Sequence, residues 1–239
     1  MSGCLVALAL VAAGCESSQD RSARLAKQGG KAFTRKGLDV KHENPDVKVT
    51  GTTVLQDKNG AATVVDMHNA AATAELNVPV SIDVLGPGKT SVFKNDAPGL
   101  EPSLVSAPLL PAKSDFTWVN DQVTATGPAR AVDVKIGRPP ASSGQVPAKL
   151  PQLDISTPTL QSDPVSGVEA SGTVTNKSSV EQTALIVYCV ARRGKKVVAA
   201  GRSAIARLQP GKKKAYHVYF IGNPSGGKLW VAAPPTVLK

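Results

Sequence analysis

The sequence predicts an all-β chain, two tandem β-sandwiches behind a polar N-terminal tether. Three observations carry that expectation. Short runs rich in Val and Thr alternate apolar with polar residues at period two, which puts one face of each strand in a core. Twenty-one Gly and 18 Pro fall mostly between those runs, where they act as turn punctuation. The two halves also resemble each other, as duplicated units do. Apolar residues make up 41% of the 239 positions and aromatics only 4%, so the cores are built mainly from Val, Ala, Leu and Ile.

The chain opens with the apolar run Cys4-Leu-Val-Ala-Leu-Ala-Leu-Val-Ala-Ala-Gly-Cys15, which gives way at once to Glu16-Ser17-Ser18-Gln19-Asp20. At roughly ten apolar residues the run is too short to span a bilayer, which needs about 20. Val11-Ala12-Ala13-Gly14-Cys15 resembles the lipobox of bacterial lipoproteins, in which two small residues precede the modified Cys; Ala12 stands where Leu is usual. The resemblance implies a signal peptide over 1–14 and a diacylglyceryl group on the Cys15 thiol. It also implies a protein held by lipid on the extracytoplasmic face of the cell membrane. A signal has a basic n-region, and Met1-Ser2-Gly3 contains none, so a start codon further upstream is the expectation. Residues 15–44 then read as a flexible polar tether. From 16 to 44 it is basic by seven Lys/Arg to four Asp/Glu, and its apolar positions Leu25, Ala32 and Phe33 make no sustained stripe. It serves as a spacer or, in the sharper alternative, as an interfacial segment on anionic headgroups.

The first sandwich is expected over 45–137. Val47 to Leu55 and Ala62 to Met67 alternate on either side of Asp57-Lys-Asn59-Gly60, whose Asn-Gly suits a tight hairpin because both residues tolerate φ > 0. Val78 to Val84, Thr90 to Phe93, Leu104-Val105, Asp115 to Val119 and Ala131 to Ile136 follow. About seven strands without a convincing helix close most economically as two packed sheets.

Residues 138–150 are Pro-rich and read as a linker, since Pro favours extended backbone that cannot join a sheet interior. The second sandwich, 151–239, repeats the plan. Glu75 to Val92 lies on Glu181 to Val198 without a gap, so that Val78, Val80, Ile82 and Val84 match Ala184, Ile186, Tyr188 and Val190, and Gly88-Lys89 falls on Gly194-Lys195. Asn69 and Asn176 precede the two alignments at a turn. Leu110-Pro111-Ala-Lys113 matches Leu208-Gln-Pro210-Gly-Lys212 after them. Over about 80 residues the second half resembles the FxLYD-type domain, an immunoglobulin-like module of exported bacterial proteins. The likeness rests on Gly172-Thr-Val-Thr-Asn176, Tyr188-Cys-Val, the Gly194-Lys-Lys-Val-Val hairpin, and Leu208-Gln-Pro-Gly211 before Tyr216-His-Val-Tyr-Phe220. The family's Asp after Tyr is replaced by Cys189. The resemblance implies two tandem immunoglobulin-like domains in an exported setting and no catalytic activity.

Motifs for chemistry are few. Leu85-Gly-Pro-Gly-Lys-Thr90 ends like a P-loop, but Asp83 stands where Gly is needed and Ser91-Val-Phe reads as a strand where a helix should start. His42, His68 and His217 stand singly, without ligand spacing, and no Gly-x-Ser-x-Gly elbow occurs. No metal, cofactor or catalytic residue is therefore expected, and the chain does not read as an enzyme. Asn176-Lys-Ser178 is formally a glycosylation sequon and reads better as turn chemistry. Of three cysteines, Cys4 goes with the signal, Cys15 carries lipid, and Cys189 sits in an apolar run as a buried hydrophobe.

Charge is the feature left to carry function. Residues 149–239 hold thirteen Lys/Arg against four Asp/Glu, whereas 45–148 hold eight against ten, so the formal +10 comes largely from the second half. Arg192, Arg193, Lys195 and Lys196 fall on one expected turn and Lys212, Lys213 and Lys214 on another. They either keep loops soluble or form a patch for an anionic wall polymer, lipid headgroups or another envelope protein. Nucleic acid is not expected, because the aromatics lie in strands rather than as stacking platforms. Two classes of function stay open: a non-catalytic binding or structural module of the cell envelope, or an accessory component of an envelope enzyme or transport system with an uncatalogued activity.

Overall fold

The computed structural model describes residues 37–163 and 167–239, and the signal, Cys15 and most of the tether lie outside the described residues. Fifteen strands carry the described chain. The N-terminal half supplies β1 (Val47–Asp57), β2 (Gly60–Asn69), β3 (Glu75–Leu85), β4 (Ser91–Lys94), β5 (Ser106–Leu110), β6 (Ser114–Val123) and β7 (Ala131–Ile136). The C-terminal half supplies β8 (Leu153–Ile155), β9 (Thr159–Asp163), β10 (Gly167–Asn176), β11 (Gln182–Arg193), β12 (Lys196–Leu208), β13 (Lys213–Tyr219), β14 (Ile221–Gly222) and β15 (Lys228–Ala232). Every ladder is antiparallel, and the protein is all-β as the alternation predicts. Leu104-Val105 is a correction: Pro102 presets φ for a 3-10 turn over Pro102–Leu104, and the strand starts only at Ser106.

The two halves share one plan. In the first, β1-β2-β6 form one sheet, and β3 pairs with β4, β5 and β7 in another. In the second, β8 and β9 pair one after the other along one edge of β10 and β13 along its other edge, while β11 pairs with β12 and β15. Long β12 thus does the work of β4 and β5 together. Where those two leave β3 unpaired, the buried Asn95 side chain replaces a strand: its Oδ1 accepts from Ile82 N–H, and its Nδ2 donates to the Val80 and Leu104 carbonyls.

The repeat is real, but its register is one residue off the ungapped alignment. Glu75 faces Leu110 and Gln182 faces Leu208, so Glu75 corresponds to Gln182, not Glu181. Asn77 and Ala184, the next matching positions, both adopt left-handed backbone, φ 50° and 49°. Val78, Val80, Ile82 and Val84 therefore match Leu185, Val187, Cys189 and Ala191, which lie in the C-terminal half's own core. A one-residue slip flips every side chain to the other face of a sheet. Alternation does not distinguish the two registers, because β11 is apolar on both faces.

The second face of β11 explains the architecture. Ile186, Tyr188 and Val190, with Val197 and Ala200 of β12, belong to the same hydrophobic cluster as Val64, Trp118 and Val119 of the N-terminal half. Phe116 stands edge-on to Tyr188, ring centroids 5.5 Å apart, and to Trp230 at 6.1 Å, a geometry that aromatic quadrupoles favour. The halves therefore do not each bury their strand faces alone, as the sequence led us to expect. Residues 37–239 form one compact body, and the Pro-rich stretch between the halves holds only a short 3-10 turn, Ala141–Ser143.

Candidate interaction faces

The seven cationic residues singled out from the sequence are not brought together. β12 has 13 residues and so, at roughly 3.3 Å per residue, spans about 40 Å. Arg193, Lys195 and Lys196 lie at its start and the Gln209–Lys212 turn follows its end. Two of the first four are engaged within the protein. Arg192 donates through Nη2 to Asp66 Oδ1 at 2.5 Å and to Thr117 Oγ1 at 3.3 Å, across the junction of the halves. Arg193 donates through Nε and Nη2 to the Ser225 carbonyl at 3.1 and 2.6 Å. Lys195 and Lys196 are exposed on the hairpin. Lys212 closes the Gln209–Lys212 turn, as expected, but Lys213 and Lys214 already belong to β13, opposite Thr175 and Val174; all three are exposed.

The most buried cation among the described residues is not one of the seven. Arg202, 5% exposed in its side chain, donates through Nε to Asp121 Oδ1 at 2.8 Å and through Nη1 to Ser103 Oγ at 2.6 Å, with Glu101 Oε2 at 3.6 Å. Its backbone N–H also donates to Asp121 Oδ2 at 2.9 Å. Nothing in the run Gly201-Arg-Ser marks it, because its partners come from the other half. Together Arg192 and Arg202 clamp the apolar junction at two places, each against a carboxylate of the N-terminal half. Part of the charge contrast between the halves is therefore used inside the chain.

Burial also governs the titrating groups at the core. The Cys189 thiol is fully buried, and desolvation pushes it up to about 12; it is a packed hydrophobe rather than a reactive thiol. Desolvation likewise raises the Tyr188 hydroxyl, which has no hydrogen-bond partner among the described residues. His68 pairs with Asp115 at 2.7 Å and His217 with Glu169 at 3.1 Å, on different sheets. No three His, Cys, Asp or Glu side chains among the described residues are placed to hold a metal. The P-loop-like run is a 3-10 turn over Pro87–Lys89 that leads into β4. Asn176 of the sequon is buried, and Ser178 Oγ donates to its Oδ1 at 2.7 Å. No helix among the described residues is long and apolar enough to cross a membrane.

A surface groove of about 380 Å³ lies over β3, β4 and β7. Leu38, Asp39 and Val40 line one side, and Ser81, Asp83, Lys94, Asp96, Asp133 and Lys135 the rest. Its four carboxylates outnumber two ammonium groups. Asp83 accepts from Ser91 Oγ at 2.6 Å and pairs with Lys94 at 3.2 Å. No protein-family model matches the chain, and no curated protein matches it.

Proposed function

We propose that the protein is a lipid-anchored, exported bacterial lipoprotein that serves as a non-catalytic binding or structural module of the cell envelope. The observation that carries this reading is the run Ala13-Gly14-Cys15 at the end of a short apolar stretch, followed at once by charged and polar residues. In this reading the thiol of Cys15 takes the diacylglyceryl group, and the basic tether sets the distance between bilayer and body. The two halves are immunoglobulin-like sandwiches that resemble the FxLYD-type domain, joined by a shared core into one presenter of surface. Their partners are another envelope protein or an anionic component of wall or membrane. The shared core supports a presenting role, because a face held by such a core loses little conformational entropy on binding. Replacement of Cys15 by Ser tests the reading: it is expected to abolish metabolic labelling with a fatty acid and to release the protein from its lipid anchor. Labelled protein after that change would overturn it.

A further inference from the structure

The acidic groove is the N-terminal half's copy of the face that joins the halves. In the C-terminal half Val190 stands opposite Ala200 on one side and Trp230 on the other; in the N-terminal half its counterpart Asp83 stands opposite Lys94 and Asp133. Tyr188 stands opposite Ala232, and its counterpart Ser81 opposite Lys135. All five of these N-terminal residues line the groove. The docking position has thus been kept in the fold while its chemistry has changed from apolar to charged.

The sheet of the C-terminal half that carries β10 and β13 holds the matching change. Phe116, the ring that meets Tyr188 and Trp230, stands opposite Met67 on β2, two residues before Asn69. The same place on β10, two residues before Asn176, is Val174, and it stands opposite Lys214. Likewise Asp115 and Ser114 become Lys213 and Lys212. A second copy seated by the geometry of the internal junction would bring Lys214 to Ser81 and Asp133, the counterparts of Tyr188 and Trp230. An aromatic contact inside the chain is replaced, in both halves of the chain, by opposite charges.

We propose that copies of this chain associate head to tail, the Lys212–Lys214 end of one entering the Asp83–Asp96–Asp133 groove of the next. The contact is heterologous, so it extends into an open row rather than closing a ring unless the rotation brings it round. Charge replaces apolar burial at this contact, which makes it weak in solution and dependent on salt. The proposal does not depend on lipid attachment.

Sedimentation velocity of the full chain in neutral detergent tests it. Sedimentation is expected to rise with protein concentration at about 10 mM salt and to become that of a monomer at about 1 M, where screening cuts the reach of charge to about 3 Å. Lys214→Asp and Asp133→Lys should each weaken self-association about tenfold or more, because like charges then face each other. Both positions are exposed, so the variants should keep the parent's thermal midpoint. Mixing the two variants should restore association into rows in which the two alternate, since the new Asp of one meets the new Lys of the other and the next contact keeps the parent Lys214 and Asp133. A monomer at low salt over the whole concentration range, or a mixture that associates no better than either variant alone, would overturn the proposal.

Discussion

Asn69 and Asn176 share three hydrogen bonds in the two halves. Each Oδ1 accepts from the N–H two residues on, Ala71 or Ser178. Each Nδ2 donates to the carbonyl four residues on, Thr73 or Val180, and to the carbonyl of Leu110 or Leu208. Both residues are buried. One amide side chain thus closes the turn between the sheets and ties it to the far end of the second sheet. The local half of this pattern, Asn bonding its own downstream backbone, is ordinary turn chemistry; the long-range half exists only in the fold.

Replacing either Asn with Ala should destabilise the protein by about 3 kcal/mol, because several buried backbone groups lose their partners at once. Urea unfolding would read this as a lower midpoint at unchanged slope. Similar costs at the two sites are expected, since three of the bonds are equivalent and each Asn has one more of its own, from Asn69 to the Pro111 carbonyl and to Asn176 from Ser178 Oγ.

Asp121→Ala should cost about 3 kcal/mol or more, because it leaves the almost fully buried Arg202 without its nearest carboxylate. Arg202→Met, which removes the charge and keeps an apolar stem at the junction, should cost less. The comparison requires only equilibrium unfolding of the two variants. Equal costs would mean that the pair matters for its shape rather than for its charge.

Cleavage after Lys149, exposed in the linker, should leave two fragments that elute together from gel filtration. Their association rests on the junction around Phe116, Tyr188 and Trp230 and on the two arginine clamps. The nicked protein should also unfold at a lower denaturant concentration, because unfolding then releases two chains rather than one.

Alkaline pH should weaken the fold. The Cys189 thiol ordinarily titrates near 9 and is pushed up to about 12 by burial, and the Tyr216 hydroxyl is also raised to about 12 by burial and by the neighbouring Cys189. Between those limits the folded protein keeps protons that the unfolded chain gives up, so unfolding is favoured as pH rises. The urea midpoint should be flat below about pH 9 and fall from there towards 12. Cys189→Ala should make that fall shallower.

Local features legible in the sequence are those with local causes. Strands followed from period-two alternation, and the Asp57 to Gly60 hairpin from Asn-Gly. The duplication followed from the paired Asn, Gly-Lys and Leu-Pro positions, and the burial of Cys189 from the apolar run around it. The one-residue register of the repeat was not legible, because alternation cannot rank two faces that are both apolar, as in Leu185 to Ala191. Tertiary structure alone decided why both are apolar: Leu185, Val187 and Cys189 fill their own sandwich, while Ile186, Tyr188 and Val190 pack on the other half. It also decided which charges are free. Arg192 and Lys196 look alike in a basic run, yet one faces Asp66 across the junction and the other faces water. Sequence neighbours share a strand, but a charge finds its partner through the packing of sheets, and that packing is set by residues far away along the chain.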